Sequence, residues 1–212
     1  MRTSSNSGCS VNIFEIYGHI DITLRCCSRA MFIISVTKYN SISCARYSGS
    51  ISASLIIILS RQLSVSTRSI TSYVLGEHGD SSVINWSSVF IGGLSLDEFC
   101  KQSQISLPKT TRNTIEHRVR NAAYEIIKGR GATWDGIGAA VADLLYAIIN
   151  DEKRILTTSV VDGIGKKAVA MSLPRIIGNR GVIMNLHSKT DSVESAALRK
   201  SANIIRKNFD LI

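Results

Sequence analysis

Between Pro108 and the C-terminus the apolar residues switch from helical to alternating period and back, and that order constrains the fold more than any other feature. Ile115, Val119, Ala122 and Ile126 recur at three- and four-residue steps after Pro108, Thr110 or Thr111 can cap the start, and Gly129 and Gly131 mark the end. A second helical pattern runs over about 135–150, with Ile137, Val141, Leu144, Leu145 and Ile148 on one face. R-I-L-T-T-S-V-V (Arg154–Val161) is extended. Ala168–Ile177 and Val182–Leu186 read as strands joined by G-N-R-G, a hairpin signal. Asp191, with Glu194 three residues on, forms a capping box. It opens a last helix that carries Val193, Ala197, Leu198, Ile204 and Ile205.

The first 75 residues have another texture. They hold seventeen Ser, no Pro and four of the five Cys. V-N-I-F-E-I-Y (Val11–Tyr17) and H-I-D-I-T-L (His19–Leu24) alternate as short strands, and Met31–Val36 is a buried-strand candidate. Caps and turn punctuation are otherwise sparse, so the local signals disagree with one another.

Composition excludes several classes. Hydrophobic residues make up 44% and charged residues 19%, too apolar a balance for a disordered chain. The longest apolar runs lie around Met31–Val36 and Leu55–Leu59, far short of the roughly 18 residues of a membrane span. The start, M-R-T-S-S-N-S-G-C-S, has no apolar stretch behind its Arg, so no secretory signal is expected. An odd count of five Cys argues against a disulfide scaffold and for a reducing, cytoplasmic setting. Cys26 and Cys27 are adjacent and no C-x-x-C occurs, so no metal site is expected. The net charge of +9 suggests a nucleic-acid footprint, but residues 1–75 are basic because acids are missing: seven Lys/Arg stand against two Asp/Glu. No nucleic-acid partner and no membrane partner are expected.

The stretch that carries chemistry is Y-V-L-G-E-H-G-D-S (Tyr73–Ser81). A short apolar strand, Tyr73–Leu75, runs into Gly76, and His78 sits in the tight turn between Glu77 and Gly79. An imidazole on such a turn, with an ordinary pKa of about 6.5, can move a proton near neutral pH. A structural surface His fits the bare pattern as well.

G-E-H-G-D-S followed by S-V-I-N-W-S-S-V resembles the catalytic-histidine segment of the L-lactate dehydrogenases. The resemblance continues in order through V-R-N-A-A-Y-E-I-I-K-G-R-G-A-T (Val119–Thr133), G-I-G-A-A-V-A-D-L (Gly136–Leu144), N-D-E-K-R-I-L (Asn150–Leu156) and S-L-P-R-I-I-G-N-R-G-V (Ser172–Val182). It covers roughly residues 60–212 and implies an α+β fold. That fold is the C-terminal, substrate-binding domain of the lactate/malate dehydrogenases, with long helices on a twisted antiparallel sheet. The expected organisation is a poorly specified segment over 1–47 and this domain over 48–212. The resemblance also implies roles. His78 is the general acid/base that exchanges a proton with the C2 oxygen of pyruvate or L-lactate. Thr133 lines the substrate pocket, where malate dehydrogenase relatives usually differ. Ile137 packs against the nicotinamide ring of NAD. A plain helix-start role for Thr133 and a plain core role for Ile137 also fit.

Parts of the family pattern are missing. The Asp that orients the histidine and the Arg that grips the substrate carboxylate would fall at about Ile51 and Ser54. No G-x-G-x-x-G follows a first strand; Gly136-Ile-Gly138 lacks its third glycine, and Gly163-Ile-Gly165 reads as a loop. The expectation is an NAD-dependent pyruvate/L-lactate oxidoreductase of pyruvate metabolism and glycolysis, in truncated and impaired form. The alternatives are a non-catalytic subunit packing with full-length relatives and a malate dehydrogenase relative. A homo- or hetero-oligomer is expected, with Ile84, Trp86, Val89 and Ile91 joining an exposed apolar surface beside the histidine loop.

Overall fold

Why the chain folds into two apolar clusters follows from where its helical stripes fall. The computed structural model describes residues 10–13, 21–27, 31–37, 43–47, 49–131, 134–162 and 169–209. Four strands come first: β1 (Ser10–Ile13), β2 (Asp21–Cys27), β3 (Met31–Thr37) and β4 (Ser43–Tyr47). Helix α1 (Gly49–Leu63) follows, then five two-residue strands: β5 (Ile70–Thr71), β6 (Val74–Leu75), β7 (Val83–Ile84), β8 (Phe90–Ile91) and β9 (Leu94–Ser95). Helices α2 (Leu96–Ser103), α3 (Lys109–Arg130) and α4 (Trp134–Ile149) lead to β10 (Arg154–Asp162), β11 (Val169–Gly178) and β12 (Gly181–Asn185), and α5 (Ser192–Phe209) ends the described chain.

Among the described residues every strand pairing is antiparallel. The large sheet has the order β1-β2-β3-β4-β10-β11-β12. Its N-terminal strands join the rest through β4 and β10, where Tyr47 pairs with Thr158 and Arg46 with Ser159. Met31–Val36 lies within β3, and β2 begins inside His19–Leu24 and runs on to Cys27. The fold is thus the α+β arrangement of long helices and antiparallel sheet.

On α1, Leu55, Leu59 and Leu63 recur every four residues and are all buried. They pack in one cluster with Ile115 and Val119 of α3, with Ile70, Val74, Ile84 and Ile91 of the small strands, and with Val89 just before β8. The second cluster sets Leu144, Ala147 and Ile148 of α4 against Leu156 of β10 and Ile177 of β11.

Several local expectations need correction. Ile84, Val89 and Ile91 do not face solvent; they are buried in the first cluster, with Trp86 packed against it, because α1 and α3 belong to the same cluster. Neither Thr110 nor Thr111 caps α3. Pro108 occupies the N-cap without a side-chain bond, and the helix runs through Gly129 to end on Gly131 in the left-handed region, φ +79°. Ile126 is exposed, since beyond Val119 the helix outruns the cluster. Val193 is 71% exposed, because the buried position of the first turn of α5 belongs to the carboxylate of Glu194.

Candidate functional site

The site grows from β6. Val74 and Leu75 pair with Ile84 and Val83, making a small hairpin whose connecting residues carry His78. One residue past β6 the backbone turns onto the large sheet: Gly76 N–H donates to Ser172 O at 3.0 Å, and Ser172 N–H returns a bond to Gly76 O at 2.9 Å. Gly76 takes φ +86°, which favours glycine. A hydrogen-bonded turn over Gly79–Ser82 follows, closed by Ser82 N–H on Gly79 O at 3.0 Å, and His78 stands in the bend just before it. His78 is half-buried, with Nδ1 shielded from solvent.

The turn is braced from within. Glu77 Oε2 accepts Ser81 N–H at 3.3 Å and also the Ser81 hydroxyl. It is braced from α5 as well: Glu77 N–H donates to Ser201 Oγ at 2.8 Å, and Ser201 is fully buried. Helix α3 holds the outgoing strand. Arg120 Nη2 donates to Ser82 O at 3.2 Å, and Trp86 Nε1 donates to Glu116 Oε1 at 2.8 Å. The Arg112 guanidinium lies 5.5 Å from the centre of the Trp86 ring. The capping box of α5 forms as its sequence suggests: Glu194 N–H donates to Asp191 Oδ1 and Asp191 N–H to Glu194 Oε2. The other oxygen of Glu194 accepts Ser87 N–H at 2.9 Å, which ties the start of α5 to the segment after the histidine.

Helix α1 approaches the same strand. Val74 N–H donates to Ser52 Oγ at 3.4 Å. Ile51 and Ser54 therefore stand on a helix beside the strand that leads to His78, and Ile51 packs against the apolar cluster. Burial pushes the Tyr73 phenol above its ordinary pKa. Thr133 lies outside the described residues. Ile137 lies in α4, and its side chain is outside them too. Gly136 and Gly138 sit inside α4, a helix that follows another helix and no strand.

This arrangement matches one family of known proteins. The model for the lactate/malate dehydrogenase α/β C-terminal domain matches residues 52–212. The chain belongs to this family. Members similar to it include the L-lactate dehydrogenase of Geotalea daltonii, 41% identical over 157 residues that cover 73% of this chain and 50% of that enzyme. The L-lactate dehydrogenase of Thermus aquaticus is 44% identical over 153 residues, 70% of this chain and 49% of the other. Among solved structures, MGS-M5, a lactate dehydrogenase enzyme from a Medee basin deep-sea metagenome library, superposes with a TM-score of 0.72 at 33% identity. It covers 77% of this chain and 53% of that one. The chain spans about half the length of the curated relatives it matches.

The sequence could place His78 on a turn, but not the groups that hold the turn. Ser201, Arg120 and Glu194 carry no local signal of that role; only the helix packing brings them to it. Among the described residues no group of three or more His, Cys, Asp or Glu could hold a metal ion. No described helix is long and apolar enough to cross a membrane. Nor do the described residues form a dinucleotide cradle, which needs parallel strands joined through a glycine-rich turn into a helix.

Proposed function

We propose that the chain supplies the substrate side of an L-lactate dehydrogenase-like reaction, the interconversion of pyruvate and L-lactate. His78 gives a proton to the C2 oxygen of pyruvate and takes it back from L-lactate. The observation that carries this reading is the placement of a half-buried imidazole on a turn braced from both α3 and α5. An imidazole held in place is what general acid/base catalysis requires. NAD(H), the family's hydride carrier, is the proposed cofactor, and the step assigned to this chain's own residues is the proton. Thr133 is proposed beside the substrate and Ile137 beside the nicotinamide. That the similar relatives are named L-lactate dehydrogenases supports pyruvate over a dicarboxylate as the substrate. We further propose a cytoplasmic protein of pyruvate metabolism that assembles with itself or with full-length relatives.

Activity is expected to be impaired. The positions of the family's orienting Asp and carboxylate-binding Arg hold Ile51 and Ser54, and charged hydrogen bonds of that kind contribute roughly 1.5–3 kcal/mol each. Ile51 packed into the apolar cluster favours a second reading, a non-catalytic subunit. A chimera decides between them: residues 49–212 joined to the N-terminal half of a full-length relative, with Ile51→Asp and Ser54→Arg. The expected result is pyruvate-dependent NADH oxidation that His78→Ala lowers by about 10²–10⁴-fold. A chimera without turnover, or with turnover indifferent to His78→Ala, overturns the reading. The unaltered 212-residue chain should show no measurable turnover.

The boundary between an N-terminal segment and the family domain is proposed at residues 47/48. The ladder from β4 to β10 is only two residue pairs long. Limited proteolysis should therefore cut first before about Ser48, and early cleavage within 76–212 would contradict the boundary.

A further inference from the structure

We propose that Ser201, on α5, is the positioning residue that sets where the His78 imidazole stands, an inference that rests on His78 being the proton-moving group. The argument begins with hydroxyl stoichiometry. Ser201 Oγ accepts Glu77 N–H at 2.8 Å and lies 3.1 Å from Ser81 Oγ. A serine hydroxyl has one proton to give. That of Ser81 goes to Glu77 Oε2, so in the Ser201–Ser81 contact Ser201 is the donor. The bonds therefore run in one direction: from the Glu77 amide to Ser201, from Ser201 to Ser81, and from Ser81 to the carboxylate of Glu77 itself. This circuit starts and ends on Glu77, and the two turn residues it holds, Glu77 and Ser81, flank His78 along the chain.

A second observation points the same way. A Cβ on Gly76 would lie 2.6 Å from Ser201 Oγ, so the chain entering the turn is pressed against this hydroxyl. The circuit is the C-terminal of two fastenings on one face of α5. Glu194, seven residues earlier, holds Ser87 N–H beyond the far end of the turn. Both side chains are buried. Glu194 fixes the short 3-10 turn, Trp86–Ser88, that follows β7, whereas Ser201 fixes the residues on both sides of the imidazole. Loss of the Ser201 hydroxyl strips the Glu77 amide of its acceptor and Ser81 of its donor at once. The turn then loses its link to the helix, while the bonds between Ser81 and Glu77 persist.

The test reads the imidazole in the 212-residue chain and does not depend on turnover. The ring Cε1–Hε1 signal of His78 is assigned by its disappearance in His78→Gln and followed in Ser201→Ala, Ser81→Ala, Ser81→Thr and Ala202→Gly. Ala202 is the buried neighbour of Ser201 on α5, so its replacement weakens the helix without touching the circuit. The expected result is a shifted or split His78 signal in Ser201→Ala and Ser81→Ala. A single signal at the original place is expected in Ser81→Thr, which keeps the hydroxyl, and in Ala202→Gly, although the latter lowers the melting temperature. An unmoved His78 signal in folded Ser201→Ala, or an equal disturbance in Ala202→Gly, overturns the proposal. If Ser201→Ala does not fold, the Ser81 pair decides: equal signals in Ser81→Ala and Ser81→Thr overturn it. An inactive chimera with these ring signals as expected would count against the dehydrogenase reading and leave the circuit standing.

Discussion

Gly76 and Asn85 show how single positions near the histidine turn carry opposite kinds of cost. Gly76 sits at φ +86°, and a Cβ there would meet Ser201 Oγ at 2.6 Å. Gly76→Ala therefore combines a left-handed backbone with a close contact against a buried hydroxyl. Its expected cost is at least about 1–2 kcal/mol, read as a lower midpoint in urea; a midpoint equal to the parent's would show that the turn can move away from α5. Asn85 is fully buried, and neither atom of its amide has a hydrogen-bond partner among the described residues. A buried amide without partners costs roughly 1–3 kcal/mol relative to an apolar group of the same shape. Asn85→Leu should accordingly raise the melting temperature, and a lower one would mean that the amide is satisfied within the core.

At the scale of elements, the β11–β12 hairpin is fastened from outside. Asp151 Oδ1, just past α4, accepts Asn179 N–H at the hairpin turn, 2.9 Å, with Lys153 Nζ 3.5 Å from the carboxylate. The bond from Asn179 foremost holds the Asp151 carboxyl below its ordinary pKa; desolvation opposes it, and Lys153 and the Arg180 charge add to the lowering. A carboxyl whose pKa is lowered by folding stabilises the fold above its unfolded-state pKa and loses that contribution as pH falls through the folded-state value. The stability gap between the parent and Asp151→Ala should be widest at neutral pH and close under acid. Denaturant titrations across that range would check this, and a gap constant with pH would contradict it. Helix α2 shows the same economy with a different device: Ser95 and Glu98 cap each other reciprocally and open a helix of eight residues.

The molecule as a whole leaves apolar side chains exposed along α3 and α4. Tyr124, Ile126 and Ile127 of α3 face solvent, as do Tyr146 and Ile149 of α4. Scattered exposed apolar residues are ordinary, but this many on consecutive helices favours association. The chain should self-associate at tens of micromolar, with scattering mass falling on dilution. A constant monomer mass across the series would overturn this.

Features that depend on neighbours a few residues apart could be read from the chain alone. The stripe of Leu144 and Ile148, the G-N-R-G hairpin and the Asp191–Glu194 box all appear as read, because helix period, turn and cap are local properties. The turn bearing His78 was legible for the same reason. Helix α2 was not, since eight residues are too few for a period to stand out. The tertiary structure alone decided which apolar residues are covered. Val193 obeys the helical pattern yet faces water, and Ile84, Val89 and Ile91 are buried in a cluster that α1 and α3 complete. It alone brought Ser201 to Glu77 across 124 residues and Glu194 to Ser87 across 107. A serine or a glutamate on a helix has the same local signature whether it meets solvent or a distant amide. Only the packing of α5 against the sheet gives those two side chains the partners that hold the turn.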